Sequence, residues 1–110
     1  MSDLIDNKVR KFTKKIGYAM AELLILKTVD TNPTHGYKIM LILRRKLGFI
    51  LSPSTVYTLL SSLLCDGYIS SEKAVINNHN INLFTLTHKG KRLLDQYQQK
   101  HKVLVFSLQD

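Results

Sequence analysis

A mainly α fold carrying a two-stranded β-hairpin is predicted from three observations on this sequence. Apolar residues recur at helical spacing along most of the chain, period-two alternation is concentrated between Tyr68 and Leu86, and an Asn-rich cluster interrupts that alternation once. At 110 residues and 45% hydrophobic, the chain has enough apolar surface for one compact domain and too few residues for two.

The first element is an amphipathic helix from Leu4 to Ile16, where Ile5, Val9, Phe12 and Ile16 form one stripe and Lys8, Arg10, Lys11, Lys14 and Lys15 occupy the other faces. Gly17 weakens the pattern, and Tyr18 to Val29 reads as a second helical segment with Met20, Leu23 and Leu24 buried; one bent helix or two would satisfy the sequence. Thr31, Asn32 and Pro33 make a break. A helix from about Thr34 to Leu47 follows, with Tyr37, Met40, Leu43 and Leu47 as its stripe and Gly48 placed to end it.

After Phe49, Ile50 and Leu51 comes the best-marked helix start, Ser52 as N-cap and Pro53 at the first helical position. From Pro53 to Asp66 the residues Val56, Leu59, Leu60 and Leu63 form the core stripe, Gly67 is the stop, and the opposite face is Ser54, Thr55, Thr58, Ser61 and Ser62. Tyr68 to Ile76 and Ile81 to Leu86 read as strands joined through Asn77, Asn78, His79 and Asn80, residue types that tolerate left-handed backbone. Thr87 then caps a last helix in which Leu94, Tyr97, His101, Leu104 and Leu108 follow steps of three and four, a short heptad-like seam.

This order is that of a winged helix-turn-helix with terminal helices. It divides into a basic amphipathic helix (residues 1–17), the helix-turn-helix and wing (residues 18–88) and a C-terminal helix (residues 89–110). The charge balance suits a polyanion: 16 Lys and Arg against 8 Asp and Glu leave a net charge of +8. Double-stranded DNA is the expected partner, because an α-helix fills the major groove and needs one face in the core and one of small polar groups, as the Pro53 to Asp66 helix has. No basic residue lies between Leu47 and Glu72, so phosphate attraction must come from Lys14, Lys15, Lys38, Lys73 and the Lys89, Lys91, Arg92 group.

His35-Gly36-Tyr37 with Ile39, the run Leu51-Ser52-Pro53-Ser54-Thr55-Val56-Tyr57-Thr58-Leu59-Leu60, then Leu63, Gly67-Tyr68-Ile69, and Leu86-Thr87 with Gly90 together resemble the PadR family of winged-helix transcription regulators, in its short subgroup. The resemblance implies a homodimeric regulator of repressor type. It assigns DNA contact to Ser54, Thr55, Tyr57 and Thr58, with Ser61 further along the same face; phosphate contact to His35 and Lys38; and the wing to the hairpin, including Lys73, Asn78 and His79. Dimerisation through the terminal helices would use Ile5, Val9 and Phe12 together with Leu94, Tyr97, His101, Leu104 and Leu108. Two departures stand out: the strand before Leu86-Thr87 reads Asn80-Ile81-Asn82-Leu83-Phe84-Thr85 where family wings are basic, and Ser61 and Ser62 stand where family helices often carry arginine. Affinity from lysines outside the helix, and modest sequence preference, are the consequence.

Other chemistries fare worse. His35, His79, His88 and His101 have no carboxylate or cysteine at ligand spacing, so no metal or other cofactor is expected, and no nucleophile-base set or Gly-rich phosphate loop suggests an enzyme. Lone Cys65 has no intramolecular partner, and neither a signal segment nor a membrane span is read from the sequence, so a cytoplasmic protein is expected. His101, on the terminal seam, is expected to lower dimer stability when protonated. Two alternatives remain: a winged-helix module that docks protein, which an uncharged helix face would suit, and a regulator holding a small-molecule effector at the dimer interface, where Phe12, Tyr97 and Phe106 supply apolar surface.

Overall fold

The computed structural model describes residues 2–48 and 51–107. It opens with α1 (Ser2–Thr31), a single uninterrupted helix of 30 residues, which settles the question left open at Gly17. At 1.5 Å per residue such a helix is about 45 Å long, comparable with the 54 Å long axis of the molecule. A lone glycine costs roughly 1 kcal/mol in a helix. That is less than α1 gains by burying Ala21, Leu23, Leu24, Ile25, Leu26 and Val29 in the core.

After the break at Asn32 and Pro33, Thr34–His35 forms β1, α2 runs from Gly36 to Leu47, and α3 from Pro53 to Cys65. The helix expected to begin at Thr34 therefore starts two residues later. Thr34 is extended and buried, its hydroxyl donating to the Asn32 carbonyl at 2.8 Å, while His35 is the N-cap whose Nδ1 accepts from the Lys38 amide at 3.2 Å. The buried stripe of α2 is Ile39, Leu43 and Leu47, whereas Tyr37, expected inside, is exposed. Gly36 is the residue that abuts α3, which turns its neighbour Tyr37 outward. Gly48 ends α2 at φ 69°, its amide donating to the Arg44 carbonyl at 2.9 Å. Phe49 and Ile50 lie outside the described residues.

The hairpin is β2 (Ile69–Ile76) and β3 (His79–Leu86). Its connection is tighter than the four-residue cluster expected: Asn77 and Asn78 alone form the turn, at φ 52° and 64°, and His79 and Asn80 belong to β3, paired with Ile76 and Val75. Two consecutive left-handed residues are what a type I′ hairpin requires, and asparagine tolerates them best after glycine. β1 pairs antiparallel with β3, Thr34 opposite Phe84 and His35 opposite Leu83, so the sheet has three strands in the order β1-β3-β2. A two-residue strand has too few positions to show alternation, so no sequence pattern foreshadows β1.

α4 spans His88–Lys100 and α5 spans Lys102–Ser107. The terminal helix expected to be continuous is interrupted at His101, whose backbone (φ −130°, ψ 54°) leaves the helical region while its amide still donates to the Tyr97 carbonyl. The core is one cluster in which the inner half of α1 meets Ile39 and Leu43 of α2, Val56, Leu60 and Leu63 of α3, Ile69 and Phe84 of the sheet, and Leu94 of α4.

Candidate nucleic-acid interface

α3 is fixed at its start by a hydroxyl cluster. The Ser52 side chain accepts from the Thr55 amide at 3.3 Å and lies 3.0 Å from the Ser54 hydroxyl and 2.9 Å from that of Thr55. Thr58 donates its hydroxyl to the Ser54 carbonyl at 2.8 Å, so its proton is held by its own helix, and its methyl group and oxygen lone pairs are what it can offer outward. Ser54, Thr58, Ser61 and Ser62 are exposed, Thr55 partly so, while Val56, Leu59, Leu60 and Leu63 are buried. The division into a core face and a hydroxyl face is thus present in the structure as expected from the sequence.

Tyr57 stands between the two faces, 46% exposed. A Cβ on Gly36 would come within 3.3 Å of the Tyr57 ring carbon Cε1. The glycine of the His-Gly-Tyr element therefore lets α2 approach closely enough for the aromatic ring to lie over its backbone, which sets the position of Tyr57 on the surface.

The positive charge that α3 lacks is supplied at its N-terminus by other elements. A cleft of about 560 Å³ is lined by Lys14 and Tyr18 of α1, Arg44 of α2, and Leu51, Ser52, Pro53 and Thr55 at the start of α3. Lys14 was among the phosphate candidates. Arg44 was not, because nothing local in the sequence says that the basic last turn of α2 folds back on the first turn of α3. The N-terminal amides and partial positive charge of α3 add to this field.

The remaining candidates are dispersed. Lys15 shares a surface with Lys14, Tyr18 and Glu22; Lys38 is exposed in the first turn of α2; Lys73 lies on β2 opposite Asn82; and Asn78 and His79 are exposed at the hairpin tip. His35 is engaged as the α2 cap. Two of the basic residues assigned to phosphate are committed within the chain. Lys89 donates to the Asp66 carbonyl at 2.6 Å and sits 4.6 Å from the centre of the Tyr68 ring, and Lys91 pairs with Asp30 at 3.1 Å and Asp95 at 3.6 Å. The hydrogen bond to Asp30 is the main reason the Lys91 ammonium titrates above its ordinary range.

The wing is anchored to α4 by a compact knot. The Thr87 hydroxyl lies 2.7 Å from the Gly67 carbonyl and 3.0 Å from that of Tyr68, and accepts from the Gly90 amide at 2.9 Å. A side chain at Gly90 would collide with the Tyr68 carbonyl oxygen. That contact is the physical reason for the Thr87 and Gly90 spacing.

The residues expected at a dimer interface separate into groups. Ile5, Val9 and Phe12 project from the outer half of α1, Phe12 being 61% exposed. Leu94 is 1% exposed in the core of the chain itself, and so has no surface to offer a second copy. Tyr97 is half-buried and donates to Glu22 Oε2 at 2.6 Å; burial, then the bond to the Glu22 carboxylate, push its phenol well above the usual range. His101 is exposed, next to a 240 Å³ crevice formed with Ala19, Glu22, Leu23 and Tyr97. Leu108 and the side chain of Leu104 lie outside the described residues. Val103 and Phe106 of α5, neither of them on the expected seam, are also exposed. Among the described residues there is no group of three or more His, Cys, Asp or Glu placed to hold a metal, and no helix is long and apolar enough to cross a membrane.

Comparison with known proteins agrees with this architecture. The family model for the transcriptional regulator PadR-like family matches residues 25–96, well over half of the chain. Among solved structures, a PadR family transcriptional regulator from Eggerthella lenta is similar at a TM-score of 0.72 and 20% identity, over 93% of this chain and 89% of that one. A PadR family transcription regulator from Clostridium difficile gives 0.69 and 21%, over 77% and 90%. Bacillus subtilis PadR, solved in complex with operator DNA, gives 0.64 and 24%; the match covers 73% of this chain and 48% of that longer protein. No curated protein sequence matches significantly. The match across the core of α1, the helix-turn-helix, the hairpin and the start of α4, together with the shared fold, shows that this chain belongs to the PadR-like family of transcriptional regulators.

Proposed function

We propose that the protein binds double-stranded DNA as a homodimer and represses transcription by occupying its site, with α3 in the major groove and the hairpin as wing. The observation that carries this reading is the union of an exposed hydroxyl face on α3 with Lys14 and Arg44 gathered at the start of the same helix. Such a helix can place its first turn against the backbone and its Ser, Thr and Tyr side chains against base edges. The solved complex of the Bacillus subtilis relative with operator DNA supports the use of this fold on a duplex.

Homodimerisation is supported by the outer half of α1. Leu4, Ile5, Val9 and Phe12 form an apolar stripe that no other part of the described chain covers. Two-fold pairing of such helices would set the two α3 faces about one helical turn apart, on the order of 34 Å, and match a pseudo-palindromic site.

The test is selection of bound duplexes from a random pool, followed by band-shift titration and by transcription from a promoter overlapping the selected site. The reading expects an inverted-repeat preference, a shift that weakens steeply with salt, and reduced transcript. Failure to retain any duplex at low salt would overturn it and favour the protein-docking alternative. Tyr57→Ala should weaken binding; unchanged affinity in a folded variant would remove Tyr57 from the contacts.

A further inference from the structure

The outer half of α1 combines two features that the fold of the chain does not use. Residues 3–16 are all exposed, so this stretch projects from the body as a helix with no tertiary cover. A helix of that length is marginal in water and draws its stability from whatever covers its apolar face. With 3.6 residues per turn, Ile5, Val9, Phe12 and Ile16 fall within an arc of roughly 60°, and Lys8, Lys11 and Lys15 fall within a second arc of about the same width beside it. Leu4, 81% exposed, stands among these lysines, and Leu4, Asn7, Lys8, Lys11, Phe12 and Lys15 line a shallow groove of about 300 Å³. From Leu4 to Ile16 five cations stand against one carboxylate, that of Asp6.

We propose that this half of α1 docks on the surface of an anionic bilayer, lying along it with Leu4, Ile5, Val9 and Phe12 at the acyl boundary and Lys8, Lys11 and Lys15 on headgroup phosphates. The proposal goes beyond the DNA-binding reading and does not depend on it. Charge complementarity selects the occupant. A second copy of the chain would cover the apolar arc but bring the same five cations with it, whereas an anionic leaflet covers the arc and neutralises the lysine flank together. Lysines at the border of an apolar arc can rest their stems on apolar surface while their ammonium groups reach phosphate, and each cation close to an anionic leaflet adds to the attraction. A basic polar face opposite Phe and Leu is the composition of helices that lie in the interfacial plane, and no helix among the described residues is long and apolar enough to cross the membrane instead. Because Phe12 also belongs to the surface proposed for association, a bilayer and a second copy compete for it.

The test uses the full-length protein carrying Phe12→Trp, in a chain that otherwise has no tryptophan, with vesicles of phosphatidylglycerol or of phosphatidylcholine, each with plain or brominated acyl chains. With phosphatidylglycerol the protein should float with the vesicles, its tryptophan emission should move to the blue, and brominated chains should quench it; phosphatidylcholine should do none of this. K8A/K11A, with the same circular dichroism as the parent in the absence of vesicles, should bind phosphatidylglycerol more weakly on the order of tenfold or more. Failure to float with phosphatidylglycerol at low salt would overturn the proposal, and so would a K8A/K11A variant that binds as the parent does. Flotation without quenching by brominated chains would overturn it as well, because adsorption would then run through lysines elsewhere on the chain. A tryptophan already in the blue without vesicles, in a protein that sediments as a dimer and ignores lipid, would overturn it in favour of a second copy. Each of these outcomes leaves duplex binding, read separately by band shift, as it stands.

Discussion

The two halves of α1 share one helix and one periodicity but not one environment. From Ala21 onward the apolar residues face the core, and Ala21, Ile25 and Leu26 are fully buried. Before Gly17 the stripe of Ile5, Val9 and Phe12 is as regular and lies open in the single chain. Periodicity identifies which face of a helix is apolar; it does not say which molecule covers that face. The inner half belongs to the fold; the outer half is the surface proposed for association, and it also brings charge to α3, because Lys14 lines the cleft at the start of that helix.

Substitutions should separate the halves. Leu26→Ala empties a fully buried position and should cost about 2–5 kcal/mol of unfolding free energy in urea, with the proposed dimer lost only as folding is lost. Phe12→Asp should leave the fold of the chain intact and abolish the proposed dimer at micromolar concentration in sedimentation, because burial of a phenylalanine is worth about 1.5–3 kcal/mol per protomer and the new carboxylates would be brought together. A Phe12→Asp protein that sediments as a dimer would remove α1 from the interface.

Where α4 crosses the junction of the halves, Tyr97→Phe should cost about 1 kcal/mol, the net worth of one hydrogen bond. It should also change the alkaline limb. The phenol titrates higher in the folded protein than in the unfolded chain, so its contribution is present below the ordinary phenol pKa of about 10 and lost as pH rises through the folded value. The parent should lose stability above about pH 10 more steeply than Tyr97→Phe; parallel curves would deny the Glu22 contact a role. Smallest of all, Lys91→Met should leave the denaturation midpoint unchanged, since both the ammonium and its partners are substantially exposed.

Much of this was legible in the sequence for reasons that differ by element. α3 announced itself because Ser52-Pro53 is a local start signal and its stripe is strictly periodic. The hairpin was legible through alternation and its asparagines, though the turn proved tighter. β1 was not, since two extended residues carry no pattern and exist only because Thr34 and His35 meet Leu83 and Phe84 across the sheet. The terminal seam misled because its spacing is helical on both sides of His101 while the backbone is not, and because Leu94 serves its own core. On the candidate interface, the hydroxyl face could be read from spacing; the meeting of Lys14 with Arg44, and the diversion of Lys89 and Lys91 into internal contacts, are tertiary facts with no local signal.

In the proposed mode of binding, the neutral α3 is held on DNA by cations from neighbouring elements. Its most direct test is the salt dependence of binding to a selected duplex for the parent and for Lys14→Ala. Log affinity should fall linearly with log salt in the parent, with a slope shallower by about 1 for each Lys14 contact removed. An unchanged slope in a folded, dimeric Lys14→Ala protein would contradict it.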